Sequence, residues 1–153
     1  MKRATIMFAG VVSLPLAPSP AVAQAQQASA PSSPKPVGPY SSFIAAGDLV
    51  FLSGQIAIDP ATGLLDRNAS IEAQTRQVLK NVQATLRAAG LELSDIVNAT
   101  VYLTDIEDFS RMNAAYAEAL GPVRPARTTV AVQALPMGAR IEIAVVAAGR
   151  PGP

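Results

Sequence analysis

The last predicted strand of the chain restricts the fold more than any other segment. Residues 140–148 read RIEIAVVAA, and successive residues of a strand point to opposite faces. Both faces are largely apolar: one carries Ile141, Ile143, Val145 and Ala147, and the other carries Ala144, Val146 and Ala148 beside Glu142. A sheet with helices on one face only would have a polar second face. We therefore expect the second face to be covered, either by another copy of the chain in a homo-oligomer or by the chain's own loops.

The segments before this strand alternate between strand and helix patterns. Two strands are predicted in residues 42–59, with a hairpin turn at Gly47 and Asp48. A helix is predicted over 70–90, a strand over 95–105, a second helix over 108–121, and strands over 127–135 and 140–148. The order β-β-α-β-α-β-β predicts one α+β domain, a mixed sheet with two helices on one face.

Both predicted helices have an apolar face and recognisable ends. Ser70 is expected to cap the first helix and Gly90 to end it, and Asp108 and Gly121 have the same roles in the second. The apolar residues expected to line these helices and one face of the 95–105 strand are Ile71, Val78, Leu79, Val82, Leu86, Val97, Ala99, Val101, Leu103, Phe109, Met112, Tyr116 and Leu120.

The N-terminus has the pattern of a targeting segment. Lys2 and Arg3 precede an apolar stretch at residues 5–18 that is too short to span a bilayer, and the small residues 21–23 fit a cleavage site. We predict a signal peptide over 1–23, cleaved after Ala23, so that the protein is periplasmic or secreted without a stable membrane anchor. A membrane-tethered or disordered N-terminus is the alternative. Residues 24–37 have a linker composition, 38–149 form the domain, and 150–153 form a tail.

Composition excludes several kinds of chemistry. The 153 residues contain no cysteine, histidine or tryptophan, which removes thiol nucleophiles, Ser-His pairs and the usual zinc sites. No metal or cofactor is expected. Cleavage after Ala23 would remove two of the 12 basic residues, leaving ten against 11 acidic ones, a net charge of −1. A nearly neutral chain without a basic cluster argues against nucleic acid as the partner.

Arg127 and Glu142 are the two candidate catalytic residues. Glu142 shares a strand face with apolar residues, where partial burial would raise its pKa and suit it to proton transfer. Arg127 follows Pro125 at the start of a strand, where its planar fork suits a small carboxylate. The alternatives are a surface glutamate at a sheet edge and a structural salt bridge. The last two strands are expected to pair antiparallel, so that Arg127 and Glu142 need not be adjacent within one chain. The two side chains are nevertheless expected to share a cleft.

Four further residues are candidates for binding a small molecule. Gly54, between Ser53 and Gln55, interrupts an apolar strand, which allows either a ligand or a β-bulge at that point. Tyr40 stands at the start of the predicted domain. Asn113 lies on the apolar face of the second helix, where a buried amide must find partners.

Several short motifs occur in one order across residues 38–148. They include GPYS, FLSGQI, DPATG, DIVNATVYLTD, MNAAYAE, PARTTV and IEI. Together they resemble the RidA (YjgF-type) family of enamine and imine deaminases, over essentially the whole predicted domain. The resemblance implies a chorismate-mutase-like fold and a homotrimer with active sites between the subunits.

The resemblance also implies roles for individual residues. Arg127 would bind the substrate carboxylate and Glu142 would position the hydrolytic water. Tyr40, Ser53, Gly54, Asn113 and Thr129 would bind substrate. Two features depart from the family pattern: Arg124 stands where an apolar residue is usual, and the loop over 117–124 is short. Arg124 is therefore expected at the rim of the cleft, where it would affect substrate choice.

The function implied is hydrolysis of small 2-imino acids, such as 2-iminopropanoate and 2-iminobutanoate, to 2-oxo acids and ammonia. The alternative within the same family is a trimeric protein that binds a small metabolite, or acts as a holdase, without turnover. Ribonuclease activity is a third hypothesis, which the neutral charge and the absence of histidine disfavour.

Overall fold

The computed structural model describes residues 38–149, which contain five strands and two helices. The predictions for 1–23, 24–37 and 150–153 lie outside the described residues. The elements are β1 Phe43–Ala46, β2 Leu49–Leu52, α1 Ile71–Ala88, β3 Ile96–Leu103, α2 Phe109–Leu120, β4 Ala126–Ala131 and β5 Ile141–Ala148. This is the predicted β-β-α-β-α-β-β order, although β2 is shorter than expected because residues after Leu52 leave the regular ladder.

The strands form one mixed sheet in the order β1-β2-β5-β3-β4. The pairs β1–β2, β2–β5 and β5–β3 are antiparallel, whereas β3 and β4 are parallel. The predicted antiparallel pairing of the last two strands is therefore wrong, because β3 lies between them. The two-sided apolar pattern of β5 suits a central strand, and β4, with Arg127, Thr128 and Thr129, suits an edge.

The helices begin and end at the predicted residues. The Ser70 side chain accepts a hydrogen bond from the Ala73 amide at the start of α1, and Gly121 ends α2 with a φ of 58°. Asp108 occupies the N-cap position of α2, but its side chain makes no capping hydrogen bond. Instead its buried carboxylate accepts a hydrogen bond from Arg140 Nη2 at 2.6 Å, which joins the start of α2 to the start of β5.

One face of the sheet packs against both helices. The core between them is formed by alternate residues of β5 and β3 and by the apolar helix faces, including Ile141, Ile143, Val145, Ala99, Val101, Leu103, Val78, Val82, Leu86, Met112 and Leu120. The prediction for Val97 was wrong, since it is 45% exposed. The β3–β5 register shifts between Ile96 and Asn98, which turns Val97 out of the alternation and buries Ile96 instead.

The second face of the sheet, hereafter the open face, keeps large apolar side chains in contact with solvent. Ile44, Phe51 and Val146 are neighbours across β1, β2 and β5 on this face, and Val130 lies on it in β4. Ile44, Phe51 and Val130 are exposed, so the loops within residues 38–149 do not cover this face. Neither described helix is long and apolar enough to cross a membrane.

Candidate functional site

Arg127 is held against one face of helix α2. Its Nη2 donates a hydrogen bond to Oδ1 of Asn113 at 2.7 Å, and its Cζ lies 4.7 Å from the centroid of the Tyr116 ring and 5.9 Å from that of Phe109. Positions 109, 113 and 116 recur at helical spacing, so α2 presents all three side chains to the guanidinium. The planar fork is thereby fixed in position by an amide and an aromatic face.

The charge of Arg127 has no acidic partner within the described part of the chain. The ion pairs there involve Arg76, Arg87, Arg111 and Arg140, and none involves Arg127. A guanidinium carries five N–H donors. The Asn113 oxygen and the neighbouring Tyr116 hydroxyl do not occupy all of them, so donors remain for a bidentate ligand. The structural salt bridge considered from the sequence is therefore not formed in residues 38–149, and the arrangement suits a small carboxylate.

Tyr116 is more than the core residue that its helix position predicted. Burial raises the pKa of its hydroxyl, while the neighbouring Arg127 charge and hydrogen bond act in the opposite direction. Tyr116 was predicted only as a residue of the apolar face, and its contact with Arg127 was missed. The spacing of Phe109, Asn113 and Tyr116 was the available signal, but the position of Arg127 over that face depends on the parallel pairing of β4 with β3.

Thr129 lies two residues beyond Arg127 on the same face of β4. Its Oγ1 is buried and has no hydrogen-bond partner in the described structure. An unpaired buried hydroxyl is costly, so a hydrogen-bonding ligand beside Arg127 would satisfy it.

Glu142 lies on the open face of β5 and packs against the backbone of Gly54. A β-carbon added at position 54 would come within 2.7 Å of the Glu142 carboxyl carbon. Burial raises the pKa of the Glu142 carboxyl above its ordinary value. A partly desolvated carboxylate next to solvent is suited to accept a proton from water.

Ser53 and Tyr40 lie toward the same end of the sheet as Gly54. The Ser53 hydroxyl donates a hydrogen bond to the Ser41 carbonyl oxygen at 2.7 Å, which ties the segment after β2 to the segment before β1. Tyr40 is 47% exposed. The structure thus groups Gly54 with Glu142, and Asn113 and Thr129 with Arg127.

The two groups of residues lie on opposite faces of the sheet. Arg127 is in register with Ala99 and, across β3, with Val145, whose side chains are buried under the helices. Glu142 alternates with those residues and points to the open face. Strand β3 separates the two strands, so they are about 10 Å apart. The two side chains are therefore not adjacent within a single chain, and the expectation that they share a cleft stays a prediction.

Arg124 does not extend toward Arg127. Its Nη1 donates to the carbonyl oxygens of Gly121 and Val123, the latter at 2.8 Å. These carbonyls belong to the turn after α2, where cationic side chains favour the helix dipole. Within the described chain Arg124 stabilises the end of the helix, and its expected role in substrate choice stays a prediction.

Buried amides of α1 were also missed in the sequence. Asn81 Nδ2 donates to the carbonyl oxygens of Ile56 and Ile58 at 2.9 and 2.8 Å, and Gln74 Oε1 accepts from the Arg140 amide at 3.0 Å. They satisfy backbone groups where the chain enters and leaves the sheet. Among the described residues, no cluster of acidic side chains is arranged to hold a metal ion.

The comparison with known protein families identifies the family. Residues 30–149 match the family model described as endoribonuclease L-PSP, which covers the YjgF and RidA proteins. The chain belongs to the RidA (YjgF-type) family. The RidA resemblance found in the sequence is thus confirmed, and the mixed sheet with two helices agrees with solved structures of the family.

Individual relatives cover nearly the whole domain. A RutC family protein of Pyrococcus horikoshii is 50% identical over 116 residues, which are 76% of this chain and 91% of that protein. The chloroplastic Reactive Intermediate Deaminase A of Arabidopsis thaliana is 45% identical over 114 residues, 74% of this chain and 60% of that protein. The structure of Escherichia coli TdcF with bound serine aligns with a TM-score of 0.74 at 36% identity, covering 78% and 95% of the two chains.

Proposed function

We propose that this RidA-family protein is a hydrolytic deaminase of small 2-imino and enamine acids. Its substrates would include 2-iminopropanoate and 2-iminobutanoate, and its products the 2-oxo acid and ammonia. The observation that carries the proposal is the isolated charge of Arg127, held by Asn113 and Tyr116 with no acidic partner in the described chain. Such a fork binds a carboxylate through two parallel hydrogen bonds and fixes its orientation.

The chemistry requires only water and a base. Glu142 would hold a water molecule and accept one of its protons as the oxygen attacks the imine carbon. Glu142 would return this proton to the imine nitrogen, which gives the tetrahedral carbinolamine. It would then transfer the carbinolamine hydroxyl proton to the amino group, so that the C–N bond breaks, ammonia leaves and the carbonyl forms. Burial of Glu142, which raises its pKa, makes it a better base than an exposed carboxylate.

The site would be assembled between subunits of a homotrimer. Arg127 and Glu142 face opposite sides of one sheet, so one chain cannot offer both to one small substrate. The apolar open face supplies a surface for association, because large exposed apolar patches on a single chain mark interfaces. Glu142 and Gly54 of one subunit would meet Arg127, Asn113 and Thr129 of its neighbour, with Tyr40 and Ser53 at the margin.

Two relatives support a small amino-acid-like ligand. The Arabidopsis relative is named a reactive intermediate deaminase, and the E. coli TdcF structure contains serine, which carries a carboxylate and an amine on one carbon. A 2-imino acid has the same carboxylate and nitrogen on one carbon, but this carbon is planar and open to attack by water.

The test uses imines generated in situ by an amino-acid oxidase, with 2-oxo acid and ammonia formation followed over the background hydrolysis. Wild-type protein is expected to accelerate hydrolysis. Arg127→Ala should lose both turnover and 2-oxo acid binding, whereas Glu142→Gln should lose turnover and keep binding. Equal turnover by wild type and Arg127→Ala would exclude the proposal.

Two other functions remain as outcomes of the same experiment. Tight 2-oxo acid binding without turnover by the wild type would indicate a metabolite-binding protein instead. The family description mentions endoribonuclease, but a chain with no histidine and a formal net charge of +1 lacks the usual acid–base groups and basic surface for RNA. RNA cleavage that survives Arg127→Ala and Glu142→Gln would indicate a separate activity.

A further inference from the structure

Gly54 is a glycine for reasons of space. The glycines at 47, 63, 90, 121, 138 and 149 have positive φ angles, where other residues are strained, but Gly54 does not. The position a β-carbon would occupy at residue 54 is filled by the Glu142 side chain, whose Cδ and Cγ would lie 2.7 and 3.0 Å from it. These separations are shorter than van der Waals contact, so a side chain at position 54 and the observed Glu142 conformation exclude each other.

The backbones that carry the two residues are tied together. The Gln55 amide donates to the Ile143 carbonyl oxygen at 2.9 Å, and the Ile143 amide donates to the Gln55 carbonyl oxygen at 3.0 Å. This pair of hydrogen bonds joins the residues immediately after Gly54 and Glu142. The segments therefore cannot separate to accommodate a larger residue at position 54.

Helix α1 holds both segments from the opposite face of the sheet. Asn81 donates to the Ile56 carbonyl oxygen, two residues after Gly54, and Gln74 accepts from the amide of Arg140, two residues before Glu142. Both amides are almost fully buried. With the backbones fixed, the flexible part of the contact is the Glu142 side chain.

We propose that Gly54 is a positioning residue for Glu142: its lack of a side chain leaves the space that holds the Glu142 carboxylate against the backbone of residues 53–55. This inference rests on the proposed deaminase function for its catalytic consequence, but not for the contact itself. This role acts through Glu142, and the direct role of Gly54 in binding substrate stays a separate prediction.

The first test is the variant Gly54→Ala. The fold should be retained, because the clashing atoms belong to a side chain that can rotate away, while the carboxylate is displaced by an ångström or more. Turnover should fall on the order of 100-fold, as for other small displacements of a reacting group. The Kd for a 2-oxo acid should be unchanged, since Arg127 is not affected. Turnover by Gly54→Ala equal to that of the wild type would overturn the proposal.

The second test is rescue by a shorter carboxylate. Glu142→Asp withdraws the carboxylate from the space that a β-carbon at position 54 would fill. Turnover of Gly54→Ala/Glu142→Asp should exceed the product of the two single effects by about tenfold, a coupling typical of residues in contact. Gly47→Ala is the control for backbone strain without a contact, since Gly47 has a φ of 62° and a β-carbon there meets no atom within 4 Å. Its effect should be independent of Glu142→Asp. Independent effects of Gly54→Ala and Glu142→Asp would contradict the proposal.

A third measurement separates this inference from the deaminase proposal. Carbon-detected NMR titration follows the Glu142 carboxyl whether or not the protein turns over an imine. Displacement from its half-buried position in Gly54→Ala should move its pKa down toward the ordinary value of 4.5. An unchanged titration would overturn the positioning role, whereas a shifted titration in a protein without turnover would exclude only the deaminase proposal.

Discussion

Arg127 and Glu142 project from opposite faces of the same five-stranded sheet. Arg127 lies under helix α2 on the edge strand β4, and Glu142 lies on the open face of the central strand β5. No side-chain rotation brings the two to one small substrate within a single chain. Any reaction that uses both requires a second subunit.

Mixing of inactive variants tests this arrangement directly. In the proposed homotrimer, Arg127→Ala and Glu142→Gln should each be inactive when one variant supplies every subunit. Unfolding and refolding the two variants together should restore about a quarter of wild-type activity. Each site needs an intact Arg127 from one subunit and an intact Glu142 from the other, and in random rings each requirement is met in about half of the cases. The measurement is imine hydrolysis by the refolded mixture. Activity no greater than that of the separately refolded variants would contradict a site shared between subunits.

The Asn113→Asp variant should convert the anion receptor into an internal ion pair. Aspartate is nearly isosteric with asparagine, and Arg127 Nη2 already lies 2.7 Å from the Asn113 oxygen. We expect the affinity for a 2-oxo acid to fall roughly tenfold or more, since an internal carboxylate competes for the same donors. Asn113→Ala, which adds no charge, should weaken binding less in the same calorimetric titration. A larger loss with alanine would mean that Asn113 contacts the ligand itself.

The open face should be the oligomerisation surface. Phe51 is exposed between Ile44 and Val146, so Phe51→Glu would place a charge within an apolar contact and should shift the protein toward monomer. Leu64→Glu is the matched control, because Leu64 is 69% exposed but lies in the loop before α1. Light scattering with size-exclusion chromatography measures the mass. Dissociation by both variants, or by neither, would contradict the assignment of this surface.

Two carboxylates should affect stability with opposite signs. Burial raises the pKa of Glu142, so its ionised form destabilises the native state above the ordinary carboxyl pKa of 4.5. Glu142→Gln should therefore have a higher Tm than the parent at pH 7, with the difference vanishing as the pH falls below 4.5. The Arg111 hydrogen bonds lower the pKa of Glu72 to about 2. Glu72→Gln should lower Tm at pH 7, with the difference lost as the pH falls from 4.5 toward 2. A pH-independent effect of either variant on Tm would contradict this account.

Export remains a prediction from the first 23 residues. A full-length chain expressed in a bacterium with a periplasm should yield mature protein beginning at Gln24, as measured by intact mass. Replacing Lys2 and Arg3 by glutamate should reduce processing, because the basic start of the segment guides its orientation in the membrane. Protein of full-length mass in both cases would show that residues 1–23 are not cleaved.

Periodicity in the sequence predicted both helices because their apolar faces and end residues are local signals. Ser70, Gly90 and Gly121 act within one turn of the residues they affect, so their roles could be predicted without knowledge of the rest of the chain. The prediction for Val97 was wrong because the register shift in β3 depends on how β3 and β5 pair. The predicted pairing of β4 with β5 was wrong for the same reason. The short connection between them suggested a hairpin, which the sheet does not form.

The sequence by itself determined the element order, the two apolar faces of β5, and the presence of an arginine and a glutamate as the candidate catalytic groups. The tertiary structure decided the strand order, and with it the faces from which Arg127 and Glu142 project. It also decided that Arg127 stacks on Tyr116 and that Glu142 fills the space beside Gly54. The physical reason is that side-chain alternation is encoded residue by residue, whereas pairing between distant strands depends on how the entire core packs.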